Sequence, residues 1–517
     1  MGTQNIGFGT IRDLEKKRKI SQKKVDDSKS LELRKKNGQF STPIEIADEI
    51  MQYGLSLQDS NAIRFLEPAV GTGAFISALL RNSAQACTLD KICGFEIDND
   101  YYEEARNIWK SDIIELNNED FTTSDDSNKK FNLLITNPPY VRHHYLDKDK
   151  KSQLKAKVKE EMNLDVSGLS GLYCYFLLLA DKYLEDGAVC GWLLPSEFMD
   201  VNYGKAIKDY LLNRVQLIRI HRYNPNNCLF DDALVSSCVV WFKKVEAIEN
   251  YDVEFSYGGT HDKPDVSKHI LKSELSGCKK WTHITDDIEI KNNTQSEPCI
   301  GDYFDIKRGL ATGDNGFFIL NEQQIKEKNL DMKFFKPILP SPRNMQGDEV
   351  MSNEDGNPDI SEPLFLLDCN LDEDEIIAEY PDLWNYLQCG LETTATKYLC
   401  RSRKKWYFQE RREPTPFLCS YMGRGSKDRL PFRFILNHTK AIASNSYLLL
   451  YPKDSLRKSI QDNKTSYSQI WNALKCIDVN DIEIEGRVYG GGLKKIEPKE
   501  LSKVKCRELK KIVNRLG

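Results

Sequence analysis

Between Ile44 and about Phe242 the chain alternates short apolar runs with segments of helical spacing. "IRFLEP" precedes "GAFISALLRNS", "KICGFEI" precedes "YYEEARNIW", "FNLLITNPPY" precedes a polar insert, "LYCYFLLLADKYL" precedes "GAVCGWLLP", and "VQLIRIHRY" is followed by "SSCVVWFKK". Strands rich in Val, Ile and Leu that alternate with helices build βαβ units, because parallel strands need a crossover and both faces of their sheet must be covered. The expected class is α/β with a doubly wound sheet, whose ligands bind outside the carboxyl ends of its strands.

Either side of this region the pattern changes. Residues 1–36 read as a basic arm, helical or partly disordered, with little apolar periodicity. The alternating region defines a domain over 37–245, and the mixed, turn-rich stretch 246–300 reads as a linker or boundary. From Gly301 to the end, short apolar runs separated by Gly, Pro and Asn predict an α+β or mainly β module over 301–517.

Several function classes fall away early. The longest apolar runs, such as "CYFLLLA", are far shorter than the roughly 20 residues a bilayer span requires, so no membrane partner is expected. The first residues are polar and basic rather than signal-like, which predicts a cytoplasmic protein. The 14 cysteines are scattered without a C-x-x-C pair and the 7 histidines lack ligand spacing, so no metal is expected.

The formal net charge of -5 hides a local reversal: residues 348–379 are acidic, whereas 397–433 are basic with aromatics interleaved. Arg401, Arg403, Lys404, Lys405, Trp406, Arg411, Arg412 and Arg424 have the composition of a surface that tracks phosphates. A solvated basic loop beside a core strand has that composition too.

"LEPAVGTGAF" sits where a strand ends and a helix opens, so Gly71 and Gly73 can admit a ligand to the backbone. The next strand ends in Glu96, where this fold places an acid against ribose hydroxyls. Together they indicate a cofactor that contains a nucleoside. No G-x-x-x-x-G-K-[ST] loop is present, and Glu67 at the loop entrance would repel a pyrophosphate. A cofactor with a positive centre and no phosphate fits better, as S-adenosylmethionine does.

The third strand ends in "NPPY". Two prolines stop the ladder and fix a rigid tip. An exocyclic amine on a nucleobase is a poor nucleophile because its lone pair is delocalised into the ring. Two acceptors, the side-chain oxygen of Asn137 and the carbonyl of Pro138, could hold its hydrogens and turn the lone pair toward a methyl donor. Pro139 stiffens the tip, and Tyr140 offers a face on which a planar base can stack.

The ordered set resembles the gamma group of DNA adenine-N6 methyltransferases, the modification enzymes of restriction–modification systems of the Eco57I-like and TaqI-like kinds, over most of the chain. "GQFSTP" is similar to the family's N-terminal cofactor motif, "EPAVGTGAF" to its glycine motif, "GFEID" to its ribose-binding segment and "NPPY" to its catalytic motif. The resemblance implies a Rossmann-like, S-adenosylmethionine-dependent methyltransferase domain followed by a target-recognition domain.

For the cofactor it implies Gln39, Thr42, Pro43, Glu67, Pro68, Ala69, Gly71, Gly73, Glu96, Ile97 and Asn137. "NEDF" resembles the pair that contacts the cofactor's adenine, which points to Asp120 and Phe121. "CLFDDALVSSCVVWF" is similar to the segment whose aromatic packs on a flipped base, which points to Phe230 opposite Tyr140. "IKRGLATGDNGFFIL" and "RVYGGGLKKIEPKEL" look like signatures of the recognition domain and bracket the basic segment, so the resemblance favours contact with double-stranded DNA there.

Competing chemistries are weighed on the same residues. Cytosine-C5 transfer needs a nucleophilic cysteine near the loop, and the sole Pro-Cys pair, at Cys299, lies far downstream. Cytosine-N4 transfer uses the same amine chemistry; Asn at position 137 favours adenine within the family. RNA and protein-glutamine methyltransferases share "NPPY", but they are usually shorter and lack both "GQFSTP" and a large C-terminal module. A catalytically idle DNA-binding subunit is disfavoured because the catalytic positions are intact. "IEPK" is only a fragment of a nuclease site, so cleavage is expected from a separate restriction endonuclease.

Overall fold

The computed structural model describes residues 8–83, 87–125, 129–224, 236–246, 249–285, 298–425, 430–489 and 493–514. It divides into two compact units, Met1–Ile290 with Tyr489–Gly491, and Lys291–Val488 with Gly492–Gly517. Among the described residues no helix is long and apolar enough to cross a membrane.

The first unit opens with α1 (Phe8–Ser28), α2 (Leu31–Asn37) and α3 (Ile44–Ser56). Strands β1 (Ala62–Glu67), β2 (Thr88–Phe95), β3 (Ile114–Asn117) and β4 (Phe131–Thr136) follow, with α4 (Ala74–Ser83) and α5 (Asn99–Ile108) as crossovers. Then come α6 (Lys148–Met162), α7 (Leu172–Leu179), β5 (Leu184–Pro195), α8 (Lys205–Asn213), β6 (Gln216–Arg222), β7 (Ser237–Lys243), β8 (Asp252–Tyr257) and β9 (Val266–Leu271). The sheet order is β3-β2-β1-β4-β5-β7-β6-β8-β9.

Strands β1 to β5 pair in parallel, while β7 runs antiparallel to both β5 and β6. The chain winds outward from β1 to β3, then returns to lay β4 on the other side of β1. That reversal opens a crevice at the carboxyl ends of β1 and β4, where doubly wound sheets bind ligands.

Period-two alternation divides the core. Leu133, Ile135, Val189, Leu193 and Trp241 face one layer, while Leu134, Cys190, Trp192, Leu194 and Phe242 face the other. All six residues of β4 are buried, as is every residue of α7. Each large side chain removed from water contributes about 1.5–3 kcal/mol, which rigidly anchors the strand that carries "NPPY".

Of the two readings of residues 1–36, helical or partly disordered, the described residues take the first: the 21-residue helix α1 is docked on α4 and α5 by Ile11, Val25 and a buried Glu15–Arg18 pair. Its apolar periodicity is faint because polar side chains do much of the docking. The stretch 246–300 is not simply a linker, since β8 and β9 extend the first sheet and β9 forms its edge. An end at residue 245 is therefore too early.

The second unit is α+β. A five-stranded sheet orders Phe304–Arg308, Tyr447–Pro452, Phe417–Ser420, Phe434–Asn437 and Glu349–Val350. A four-stranded sheet orders Ile319–Asn321, Leu364–Leu367, Phe335–Leu339 and Ile442–Ala443, and a three-stranded one follows. Helices such as Tyr467–Lys475 pack on the five-stranded sheet, with Ile470 and Leu474 in its core.

Candidate active site

The crevice at the switch point holds a cavity of about 560 Å³. Gln39, Thr42, Glu67, Pro68, Ala69, Gly71, Glu96, Ile97, Asp120, Phe121, Asn137 and Pro139 line it, so residues drawn from five sequence motifs converge on one space. Pro43, Gly73, Pro138 and Tyr140 do not line it. Pro43 stands at the N-cap of α3. Phe230 lies outside the described residues.

The glycine loop is set by two backbone bonds: Val70 N–H donates to the Phe95 carbonyl at 2.9 Å and Gly73 N–H to Val70 at 2.8 Å. Gly73 has φ +91°, and a Cβ there would lie 2.2 Å from Trp109 Nε1, whose N–H donates to the Thr72 carbonyl at 2.8 Å. Gly73 thus lets an indole brace the loop from behind.

Two buried carboxyls face the cavity. Glu96 accepts from the N–H groups of Gly71 and Asp98, both at 2.8 Å, and burial pushes its pKa up to about 7. Burial also pushes Glu67 well above the usual carboxylate range, against the Arg18 guanidinium, and its Oε2 has no hydrogen-bond partner among the described residues. Asp120 differs. Burial pushes it up, but the Lys150 ammonium at 2.7 Å and Thr122 outweigh that, and the net direction is down. Phe121 beside it packs on Phe95, Phe176 and Tyr183.

At the tip of β4, the Asn137 amide nitrogen donates to the Phe40 carbonyl and to Thr42 Oγ1, both at 3.1 Å. A carbonyl only accepts, so the amide is oriented with Oδ1 pointing away, and that oxygen is buried without a partner among the described residues. Tyr140 is only 8% exposed, and its hydroxyl donates to the Leu193 carbonyl at 3.0 Å. "GQFSTP" and "NPPY" are fastened together: Tyr140 N–H donates to the Gly38 carbonyl at 3.3 Å. Gly38, at φ +68°, closes α2.

Sequence reasoning missed Gln22, Tyr101, Lys150 and Phe176 on the cavity wall. Each lies on a helix with no local motif, and only tertiary packing brings it there. It also missed a buried cluster in which Glu49, His221 and His261 bring ligand-type atoms within 4.8 Å of one another. Trp241 N–H donates to His261 Nε2 at 3.0 Å, so Nδ1 carries the proton given to Glu49 at 2.6 Å. A metal at Nδ1 would have to displace that proton, so the cluster reads as a hydrogen-bonded group.

In the second unit the basic segment is less uniform than its composition predicts. Arg401, Lys404, Arg411 and Arg424 are exposed. By contrast, Arg403 donates to the Ala311 carbonyl at 2.7 Å, Lys405 pairs with Glu373 at 3.5 Å, and Arg412 pairs with Glu410 at 2.6 Å. Trp406 packs against Phe317, Phe318 and Tyr407, while Tyr407, Phe417, Tyr421, Phe432 and Phe434 are core residues. The aromatics interleaved with the cations mostly belong to the fold.

A doubly wound sheet with a cavity at its switch point, lined by acids and a free amide acceptor and joined to an α+β unit, is matched by two family models. One, described as the Eco57I restriction-modification methylase, covers residues 49–230, and the other, the C-terminal domain of type II methyltransferase M.Eco57I, covers 279–516. The chain belongs to the Eco57I family of restriction–modification methylases.

Type II methyltransferase M.AccI of Acinetobacter calcoaceticus is 27% identical over 92% of this chain and 86% of its own length. Type II methyltransferase M.XamI of Xanthomonas campestris pv. amaranthicola is 26% identical over 73% of this chain and 68% of its own. Among solved structures, the type IIL restriction-modification enzyme MmeI in complex with DNA covers 83% of this chain and 60% of its own, at 15% identity and a TM-score of 0.49.

Proposed function

We propose that this methylase transfers a methyl group from S-adenosylmethionine to the N6 amine of an adenine rotated out of double-stranded DNA, as the modification arm of a restriction–modification system whose cleavage resides in a separate endonuclease. The observation that carries this reading is the buried Oδ1 of Asn137, turned away from Phe40 and Thr42 and lacking a partner among the described residues. An unmet acceptor in a crevice costs about 1–3 kcal/mol and is retained where a substrate donor will meet it.

The residues present fit the cofactor. The cavity is large enough for a nucleoside, its two buried carboxyls suit ribose hydroxyls and a cationic amino-acid part, and Asp120 and Phe121 suit an adenine ring. When bound, S-adenosylmethionine supplies an electrophilic methyl on a sulfonium.

The protein does the rest by placement. Asn137 Oδ1 and the Pro138 carbonyl accept the two hydrogens of the target amine, so its lone pair is drawn out of conjugation with the ring and localised on the nitrogen, on the face turned to the methyl donor. The Leu193 carbonyl tethers the Tyr140 hydroxyl and fixes the ring against which the base stacks. Rotating the base out costs a few kcal/mol, which that stacking and phosphate contacts from exposed cations such as Arg401, Lys404, Arg411 and Arg424 offset.

Labelled-methyl transfer to unmethylated DNA, followed by nucleoside analysis, tests the reading. The expected product is N6-methyladenine, with turnover in Asn137→Ala lower by at least about 100-fold, the scale of losing one placed polar group in an active site. N4-methylcytosine as product would keep the mechanism and replace the base. Label on RNA or protein with none on DNA would overturn the proposal.

A further inference from the structure

Helix α1 lies outside every motif quoted above, yet it reaches the cofactor cavity. Arg18 Nη1 donates to Thr72 Oγ1 at 3.3 Å, Thr72 Oγ1 donates to Gln22 Oε1 at 2.7 Å, and Gln22 Nε2 donates to Asp26 Oδ1 at 3.0 Å. The same Asp26 oxygen accepts from the Tyr101 hydroxyl at 2.7 Å.

The direction of each link is forced. A guanidinium only donates, a carboxylate only accepts, and the Gln22 amide must therefore turn its nitrogen to Asp26 and its oxygen to Thr72. Thr72 belongs to the glycine loop and Tyr101 to the first turn of α5, and both line the cavity together with Gln22. The chain of bonds thus runs from one cavity wall to another through α1.

Its root is buried. Arg18 is held by Glu15 in a two-pronged pair, both bonds 2.8 Å, with side chains 3% and 7% exposed, and Glu15 accepts from the Ser77 hydroxyl of α4 at 2.6 Å. A pair so placed is costly to break, because removing one partner strands the other charge.

We infer that α1 is a working wall of the cofactor site, and that Arg18 and Gln22 are positioning residues that hold the glycine loop and the start of α5 at the spacing the cofactor needs. The inference rests on the proposed reading of the cavity. It assigns the basic N-terminal segment to cofactor binding rather than to DNA.

Calorimetric binding of S-adenosylmethionine and S-adenosylhomocysteine to the full chain tests it, together with steady-state KM values for cofactor and DNA. In Gln22→Ala, which leaves the buried pair intact, cofactor Kd and KM should rise about tenfold, the worth of one or two hydrogen bonds, with turnover at saturation and KM for DNA within about twofold of the parent. The charge-neutral double variant Glu15→Gln, Arg18→Met should show the same split with its helical content retained. Thr72→Ser, which keeps the hydroxyl, should bind like the parent.

Unchanged cofactor affinity with a raised KM for DNA would overturn the inference and make α1 a DNA contact. Unchanged affinity with only a lowered Tm would overturn it in favour of plain packing. A parent protein that binds neither ligand would sink the reading of the cavity itself and the inference with it, so the two failures differ.

Discussion

Glu96 shows how a single burial event tunes a site. Its two oxygens already accept backbone N–H groups, yet desolvation dominates and lifts the carboxyl from 4.5 to about 7. On the proposed reading, in which Glu96 meets the ribose hydroxyls, the carboxyl accepts best when ionised, so cofactor binding below neutrality expels a proton. Affinity should rise between pH 6 and 8, by up to about tenfold per unit below the pKa, and level off above it. Calorimetry across that range checks the slope, and Glu96→Gln should bind more weakly with a flatter profile. Residues of this kind were legible in the sequence because their roles depend on a strand end and the turn after it. Glu67, Glu96, Asp120 and Asn137 all reach the cavity. The enclosure of Tyr140 was not legible, because its partner Leu193 stands on β5, 53 positions away.

Among the elements, the short helix α2 sets the relation between two distant motifs. Gly38 ends it in the left-handed region, donating to the Arg34 and Lys35 carbonyls, and a Cβ there would sit 2.4 Å from the Tyr140 nitrogen. Gly38→Ala should therefore cost roughly 1–2 kcal/mol for the backbone conformation alone and push the "NPPY" tip as well. The expected outcome is a lower Tm and turnover reduced more than tenfold, measured by thermal unfolding and methyl transfer; normal turnover would show that the tip tolerates the shift. The strands of the first unit were readable from apolar runs and the crossover helices from spacing. For α1 a helix was one of two readings, but its docking was not legible, since it relies on Glu15, Arg18, Ser21 and Asp26 rather than on an apolar stripe. Strands β8 and β9 were missed because "DVEFSY" and "VSKHIL" alternate polar and apolar residues, a pattern weaker than that of the buried strands.

On the scale of the molecule, the sequence pattern changes near residue 300 and the chain divides into two units at Ile290 and Lys291, but composition could not say which cations of the second face outward. Lys405 pairs with Glu373 of the acidic stretch 348–379, and Arg412 with Glu410 of its own stretch, pairings that composition does not specify. The first unit also carries a titratable load in its core. Burial, with His261 and Arg219 nearby, drives His221 down to about 2, and burial holds His261 below its ordinary value despite Glu49. His221 is neutral in the fold, whereas an unfolded chain protonates it near 6.5, so its contribution is full above that pH and is lost as pH falls, by about 1.4 kcal/mol per pH unit. His261 acts in the same direction. Glu96 acts in the opposite sense between 4.5 and 7, so the comparison must be with His221→Gln. Hydrogen exchange in β6 should lose protection from pH 6.5 to 5 more steeply in the parent than in that variant; equal slopes would exclude His221 as the source.

Among the described residues the sheet that carries the site is nine strands wide and open at both sides. At one side stands β3, only four residues long, and at the other β9, which alternates between half-buried and exposed and places Lys268 and His269 at its centre. A long, flat, apolar margin would be a template for strands of other molecules, and these two margins are short in one case and polar in the other. The strands beyond β7 therefore give a wide parallel core a border that resists fibre-like stacking at high concentration.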